Sequence, residues 1–214
     1  MSPDVVAEGL PHTMRAVLLV GHGDLDQLVV RDDVPVPVPG DGDVLVRVGA
    51  AGVNNTDINT RVGWYSGGGW TGSFTFPRIQ GIDACGEIVA NGPGVDGERL
   101  GERVLVEPCW VDRTGATVFL GSEVDGAFAE FVVVPAAAAH RVRSPLTDVE
   151  LASFPCSWST AENLLVRSSV AAGERVLVTG ASGGVGSAAV QLATVRGARV
   201  AGVAAAAKHD ELLA

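Results

Sequence analysis

The chain has 214 residues, of which 47% are hydrophobic, and its formal charge at neutral pH is −10. This length suits one large or two modest domains, and the acidity argues against nucleic acid as a partner, because phosphate binding needs clustered Lys and Arg. No apolar run approaches the roughly 20 residues of a membrane span, and residues 1–13 lack the basic and apolar segments of a secretory signal. We therefore expect no membrane partner.

The cysteines indicate a reducing compartment. Cys85, Cys109 and Cys156 are odd in number and widely spaced, which fits free thiols better than a disulfide framework. We therefore expect a cytoplasmic protein.

After a loose leader at residues 1–13, the chain is rich in short β-branched runs separated by turns. The predicted strands are Met14–Val20, Leu25–Arg31, Val44–Val48, Ile82–Ala90, Arg103–Glu107 and Ala127–Val134. Val34–Pro39 alternates Val and Pro, so it is extended but cannot be a central strand. Short strands with frequent turns are typical of a barrel-like all-β module.

A helical turn and a long loop interrupt these strands. Asn55–Arg61 is predicted to be helical, and the loop Gly63–Ser73 follows it with Trp64, Tyr65 and Trp70. Long loops in compact domains often carry function, so this loop is a candidate part of a binding site.

The pattern changes to helical spacing from residue 147, and Pro155 must interrupt or begin a helix. We place the domain change near residues 145–165. The predicted first domain is therefore 14–150, and the predicted second domain is 151–214.

A glycine-rich turn in the second domain joins a strand to a helix. Arg175–Thr179 is a β-branched run typical of a strand buried on both faces, and Ser187–Val195 reads as a helix. The turn between them holds glycines at 180, 183, 184 and 186. Without Cβ atoms its backbone can approach a diphosphate, which the helix amides and dipole attract. A second strand at Ala198–Val203 completes a βαβ unit.

The glycine spacing leaves one alternative open. From Gly180 it reads G-x-x-G-x-x-G, and Ser182 stands where the G-x-G-x-x-G pattern has its second glycine. A tight turn that binds nothing is the alternative to a phosphate site.

The end of the second strand bears on the choice of cofactor. An Asp or Glu about 20 residues beyond the glycines would bind the ribose 2′-hydroxyl of NAD(H), but residues 202–207 contain only Gly, Val and Ala. Lys208 and His209 follow at once. An uncharged pocket beside a cation suits a 2′-phosphate, so we expect NADPH, with Lys208 as a cofactor-binding residue. The alternative for Lys208 is an exposed lysine with no ligand.

Several segments together resemble the medium-chain dehydrogenase/reductase superfamily. They are Val-Leu-Val-Arg-Val at 44–48, Ala-Gly-Val-Asn-Asn-Thr-Asp at 51–57, Gly-Ile-Asp-Ala-Cys-Gly-Glu-Ile at 81–88, Gly-Glu-Arg-Val at 101–104, and the glycine turn. The resemblance covers the N-terminal two-thirds of such proteins. It implies an α/β plus β fold, a GroES-like β-barrel catalytic domain followed by an incomplete Rossmann dinucleotide-binding domain. Because only two of the six Rossmann strands fit, we expect a fragment, or a sheet that another chain completes.

The resemblance also bears on zinc. Zinc alcohol dehydrogenases have a cysteine ligand where this chain has Asn54, and a histidine ligand where it has Ile82. Cys156 matches a third ligand, but one thiolate cannot hold a catalytic zinc, which needs three protein ligands. The resemblance is therefore to the zinc-independent quinone oxidoreductase-like branch, and we expect no bound metal.

That branch transfers hydride from NADPH to a quinone, enone or other carbonyl acceptor, and the nicotinamide carries the chemistry. The resemblance implies catalytic roles for Asn54 and Tyr65, which can donate hydrogen bonds to the acceptor oxygen. The cofactor contacts it implies are Thr160 near the nicotinamide and Ser182, Gly183, Gly184 and Val185 at the diphosphate. It also suggests a homodimer.

Alternatives stay open for the function and for single residues. The chain could be a relative of the zinc alcohol dehydrogenases, or a catalytically inactive truncated fragment or binding module. Tyr65 could be a surface aromatic residue, and Thr160 could bond its own helix backbone. Asp57 and Asp83, each beside a turn, are expected to accept backbone N–H bonds.

Overall fold

The computed structural model describes residues 9–67 and 74–208. The chain divides into two compact units, Met1–Pro155 and Cys156–Ala214. Within the described ranges, no helix has both the length and the apolar character needed to cross a bilayer.

Some predictions fall outside the described residues. They are most of the leader at 1–13, the part of the predicted loop that contains Trp70, and the helix predicted to start at Lys208, of which only that first residue is described.

The first unit consists mainly of short antiparallel strands. Its strands are β1 (Thr13–Leu19), β2 (Leu28–Pro35), β3 (Asp43–Gly52), β4 (Arg78–Ile79), β5 (Asp83–Asn91), β6 (Arg103–Val106), β7 (Cys109–Val111), β8 (Thr117–Phe119), β9 (Phe131–Pro135) and β10 (Ala139–Arg141), and its helices are α1 (Asn55–Arg61) and α2 (Asp148–Leu151). The strands form a five-stranded sheet in the order β10-β6-β5-β3-β9, a three-stranded sheet in the order β2-β1-β4, and the hairpin β7-β8. The predicted all-β module is confirmed.

The central strand β3 contributes to two hydrophobic cores. Successive side chains of a strand point to opposite faces, so Val44 and Val46 enter one core while Leu45 enters the other with Met14 and Phe131. All three β3 side chains are fully buried. Burying a Val or Leu side chain contributes about 1.5–3 kcal/mol, so this alternation places β3 firmly in the sheet.

Two of the predicted strands begin three or four residues later in the structure than expected. The predicted strand Leu25–Arg31 begins with a 3₁₀ turn and becomes β2 only at Leu28, and β2 is an edge strand, where a proline at the end is tolerated. The predicted strand Ala127–Val134 begins only at Phe131, because the amides of Ala127 and Phe128 donate to the carbonyls of residues 81 and 80.

The second unit contains one βαβ element. Its elements are α3 (Pro155–Arg167), β11 (Arg175–Thr179), α4 (Gly184–Val195) and β12 (Arg199–Val203). The two strands pair in parallel, as predicted, and Pro155 begins α3. The described residues therefore hold two strands of a Rossmann-type sheet, which has six when complete.

Small side chains fill the core of the second unit. Its buried members are Ala161, Val178, Ala181, Ala188 and Ala189. An ion pair between Arg196, after α4, and Glu162 on α3 also links these two helices. The alanines allow close packing of helices on strands, but they bury little area.

Candidate functional site

The glycine turn has the geometry of a close backbone approach. Gly180 has a φ of +65°, in the left-handed region that favours glycine. A Cβ on Gly186 would lie 2.1 Å from the Gly180 carbonyl oxygen. Since real Cβ atoms do not approach backbone oxygens so closely, the turn requires glycine at 186 as well.

Backbone groups are accessible at the start of α4. Gly183 is the N-cap, and the helix begins at Gly184, three residues before the predicted start. Ser182, Gly183 and Gly184 are exposed, whereas Val185 is half-buried against the core. The first amides of a helix have no acceptor within it, so the turn offers donors to an anion and is not covered by side chains. These residues fit a dinucleotide diphosphate.

The first turns of α3 lie beside this glycine turn. A Cβ on Gly184 would be 3.3 Å from the Cβ of Ser157. Thr160 is exposed, and its hydroxyl donates to the carbonyl of Cys156 at 2.7 Å. Thr160 therefore makes the bond to its own helix that was the alternative, and its contact with the nicotinamide stays a prediction.

Lys208 ends a 3₁₀ turn that follows β12. The turn covers Ala206–Lys208, and Lys208 is exposed. Its amide donates to the carbonyl of Ala205 at 2.8 Å. Its role at a 2′-phosphate stays a prediction.

In the first unit, Asn54 precedes α1 and is held on two sides. Its amide nitrogen Nδ2 donates to Asp83 Oδ2 at 2.8 Å, and its backbone N–H donates to Asp57 Oδ2 at 2.8 Å. Asp83 begins β5 and is 1% exposed. Because a carboxylate accepts and does not donate, this contact fixes which end of the Asn54 amide faces Asp83. The amide carries a second N–H, which can donate to another acceptor.

Asp57 organises the neighbouring backbone, as expected. Its Oδ1 accepts from the Gly81 amide at 3.2 Å. Burial raises the pKa of Asp57, and backbone N–H bonds from Asn54, Gly81 and Ile82 oppose this shift. The two segments that carried the resemblance, around residues 54 and 81, are thus joined through one carboxyl group.

The predicted loop Gly63–Ser73 contains a 3₁₀ turn at Trp64–Gly67. Tyr65 is half-buried, and the ring of Trp64 contacts it edge-on with centroids 5.1 Å apart. Trp64 is 67% exposed. Tyr65 lies four residues after the end of α1. Its catalytic role stays a prediction.

The part of the chain that the structure describes offers few ligands for a zinc ion. Among residues 9–67 and 74–208, no group of three or more His, Cys, Asp or Glu side chains could hold a metal ion. Ile82 is buried beside Asp83. The donor set does not fit a catalytic zinc, which needs three protein ligands, and the expected absence of metal stays a prediction.

The cysteines are free thiols. Cys85 is fully buried, and burial together with the nearby Asp148 carboxylate raises the pKa of its thiol to about 11. Asp148 in turn accepts from Arg103 Nε at 2.7 Å. Cys85 is therefore a neutral thiol near neutral pH and not a nucleophile.

Sequence reasoning missed the side-chain contact between Asp83 and Asn54. The register of the sheet places Gly52 opposite Asp83, which brings the residue two positions later within reach. Pairing the 51–57 segment with the 81–88 segment would have revealed this contact.

Comparison with known proteins supports the resemblance. Residues 40–144 match the alcohol dehydrogenase GroES-like domain. Quinone oxidoreductase from Homo sapiens is 32% identical over 201 residues, covering 94% of this chain and 55% of that protein. Acryloyl-coenzyme A reductase from Metallosphaera sedula is 34% identical over 202 residues, covering 89% of this chain and 58% of that protein.

Solved structures agree with the fold. A Sinorhizobium meliloti protein provisionally called an alcohol dehydrogenase superposes with a TM-score of 0.90 at 47% identity. The match covers 96% of this chain and 61% of that one. This chain thus spans less than two-thirds of the length of these relatives. It belongs to the medium-chain dehydrogenase/reductase superfamily, and within it to the quinone oxidoreductase-like branch.

Proposed function

We propose that this chain is part of an NADPH-dependent oxidoreductase that transfers hydride to a quinone, enone or other carbonyl acceptor without a catalytic zinc. The observation that carries the proposal is the bond between Asn54 and Asp83. It orients a neutral hydrogen-bond donor at a position where the zinc enzymes are expected to supply a metal ligand. A cytoplasmic homodimer is part of the same proposal.

The glycine turn would hold the cofactor through its backbone. The amides of Ser182, Gly184 and Val185 would bind the diphosphate beside Gly183, whose own amide donates to the Gly180 carbonyl at 3.0 Å. Lys208 would face the 2′-phosphate. NADPH, when bound, supplies the hydride. The first turn of α3 lies beside the glycine turn, which supports a role for Thr160 near the nicotinamide.

In the first unit, Asn54 and Tyr65 would act on the acceptor. Hydride transfer to a conjugated carbonyl leaves negative charge on its oxygen, and oriented donors stabilise such charge. Asp83 holds one N–H of the Asn54 amide, so the second can donate to that oxygen. The Tyr65 hydroxyl can donate a hydrogen bond or a proton.

The names of two relatives support this acceptor class. A quinone and an acryloyl thioester each contain a carbon–carbon double bond conjugated to a carbonyl. A site where the acceptor carbon receives hydride and the charge on its oxygen is stabilised would suit both compounds.

A second candidate is that the chain by itself is an inactive piece. Leu177 on β11 is 67% exposed and Val203 on β12 is 51% exposed, whereas parallel sheets are normally covered on both faces. The second unit thus exposes apolar strand surface that a complete Rossmann sheet would bury.

The test is to follow oxidation of NADPH, and separately NADH, with a benzoquinone and with a cyclic enone, while measuring the metal content. We expect reduction that prefers NADPH and needs no zinc. About one zinc per chain would overturn the zinc-independent mechanism. Millimolar or weaker NADPH affinity and no turnover would favour the inactive piece.

A further inference from the structure

His22 lies in the turn between β1 and β2 and contacts residues on both sides of Trp64 and Tyr65. Its Nδ1 is 3.0 Å from the carbonyl oxygen of Thr60, in α1. Its ring lies 5.8 Å from that of Phe74 and 4.9 Å from that of Phe76, between centroids. One imidazole thus joins the chain before this segment to the chain after it.

Backbone contacts of the same turn reinforce the first side. The Gly23 amide donates to the Arg61 carbonyl at 3.0 Å, and Arg61 Nη1 donates to the Gly23 carbonyl at 2.5 Å. The ring of His22 packs on Gly63, where an added Cβ would lie 3.0 Å from its Cγ. The turn therefore contacts the end of α1 through both backbone and side chains.

The second side is attached to a strand. Phe74 and Phe76 pack edge-to-face with centroids 5.0 Å apart, and the Arg78 guanidinium lies 6.0 Å from the centre of the Phe74 ring. Arg78 belongs to β4, and its guanidinium pairs with Asp125 at 3.0 Å. Edge-to-face rings and cations over rings are favourable geometries, so this aromatic cluster (His22, Phe74 and Phe76) links the segment to the three-stranded sheet.

We propose that His22 is a positioning residue that holds the segment from Arg61 to Gly67, which contains Trp64 and Tyr65, in place. The imidazole acts in two ways, as a ring in the aromatic cluster and as a hydrogen-bond partner of Thr60. Its effect on acceptor binding rests on the proposed function, but its effect on the segment does not.

Amide hydrogen exchange tests the effect on the segment without any activity. In His22→Ala, the amides of Val62 and Gly63, which donate to the carbonyls of Ile58 and Thr60, should exchange about two- to tenfold faster, the factor that corresponds to one lost aromatic pair. His22→Phe keeps the ring and should show a smaller increase. His12→Ala, at an exposed histidine outside the cluster, should match the wild type.

Unchanged exchange at Val62 and Gly63 in His22→Ala would overturn the proposal. The amides of β3 and β5 provide the check on folding, because they should keep their protection in every variant. If His22→Ala loses protection throughout the chain, His22→Phe becomes the deciding variant. Faster exchange in it at Val62 and Gly63 alone supports the proposal, and wild-type exchange at both amides contradicts it.

Kinetics then separate this inference from the proposed function. If the wild type reduces an acceptor, His22→Ala should raise the KM for that acceptor severalfold and leave the KM for NADPH unchanged. If the wild type shows no turnover with any acceptor, the proposed function fails, while the exchange result still decides the role of His22. Equal changes in both KM values would contradict positioning of the acceptor segment.

Discussion

The two units differ in what fills their cores and in where their candidate site residues act. The first unit buries large side chains such as Ile88 and Leu45, and its candidate Asn54 is held by a buried carboxylate. The second unit has a core composed mostly of alanine, and its candidate site is exposed backbone. The first unit can therefore orient a side chain by packing around it, whereas the candidate site of the second unit is a glycine turn beside strands that expose apolar residues.

The sharpest test of this difference is one large-to-small change in each unit. Ile88→Ala should lower the free energy of unfolding by about 2–5 kcal/mol, because Ile88 is fully buried. Leu177→Ala, at a mostly exposed position, should change it by less than about 0.5 kcal/mol. Urea denaturation measures both, and equal losses would show that the second unit is as tightly packed as the first.

The next effect concerns the side chain that the first unit orients. Asn54→Ala should lower kcat/KM for the acceptor by about 100-fold, as removing one oriented donor typically does. Asn55→Ala, at the exposed neighbouring residue, is the matched control and should change it little. Steady-state kinetics measure the ratio, and similar losses in both variants would remove Asn54 from the site.

In the second unit, the matching change is in the backbone. Gly186→Ala should destabilise the turn by about 1–3 kcal/mol, because the new Cβ meets the Gly180 carbonyl, and NADPH binding should weaken with it. Gly97→Ala, where an added Cβ meets nothing within 4 Å, is the control. Titration of NADPH by fluorescence measures the affinity. Unchanged binding in Gly186→Ala would contradict a role for the glycine turn in holding NADPH.

The smallest effect is the pH dependence of the first unit. Burial raises the pKa of Cys85 from its ordinary value of 9.0 to about 11, so the folded state disfavours the thiolate. Stability should therefore be full below pH 9 and fall as the pH rises from 9.0 towards 11. Cys85→Ala should show a shallower fall in urea denaturation across this range, and an identical slope would contradict the assignment to Cys85.

Local patterns were sufficient where neighbouring residues carried the signal. Arg175–Thr179 and Asn55–Arg61 have the bounds predicted for them, since β-branched runs and polar helical turns reflect local preferences. The short strands β4, β7, β8 and β10 were not predicted, because two or three residues show no periodicity. Their pairing depends on partners far along the chain.

Sequence patterns alone established most of the longer strands and helices, the glycines at 180 and 186, and the superfamily, because these depend on side-chain size and periodicity along the chain. The folded structure was needed to show that Asp83 orients Asn54 and that His22 contacts both sides of Trp64 and Tyr65. Those contacts join residues up to 54 positions apart, and their geometry is set by sheet register and loop packing, which local preferences do not encode.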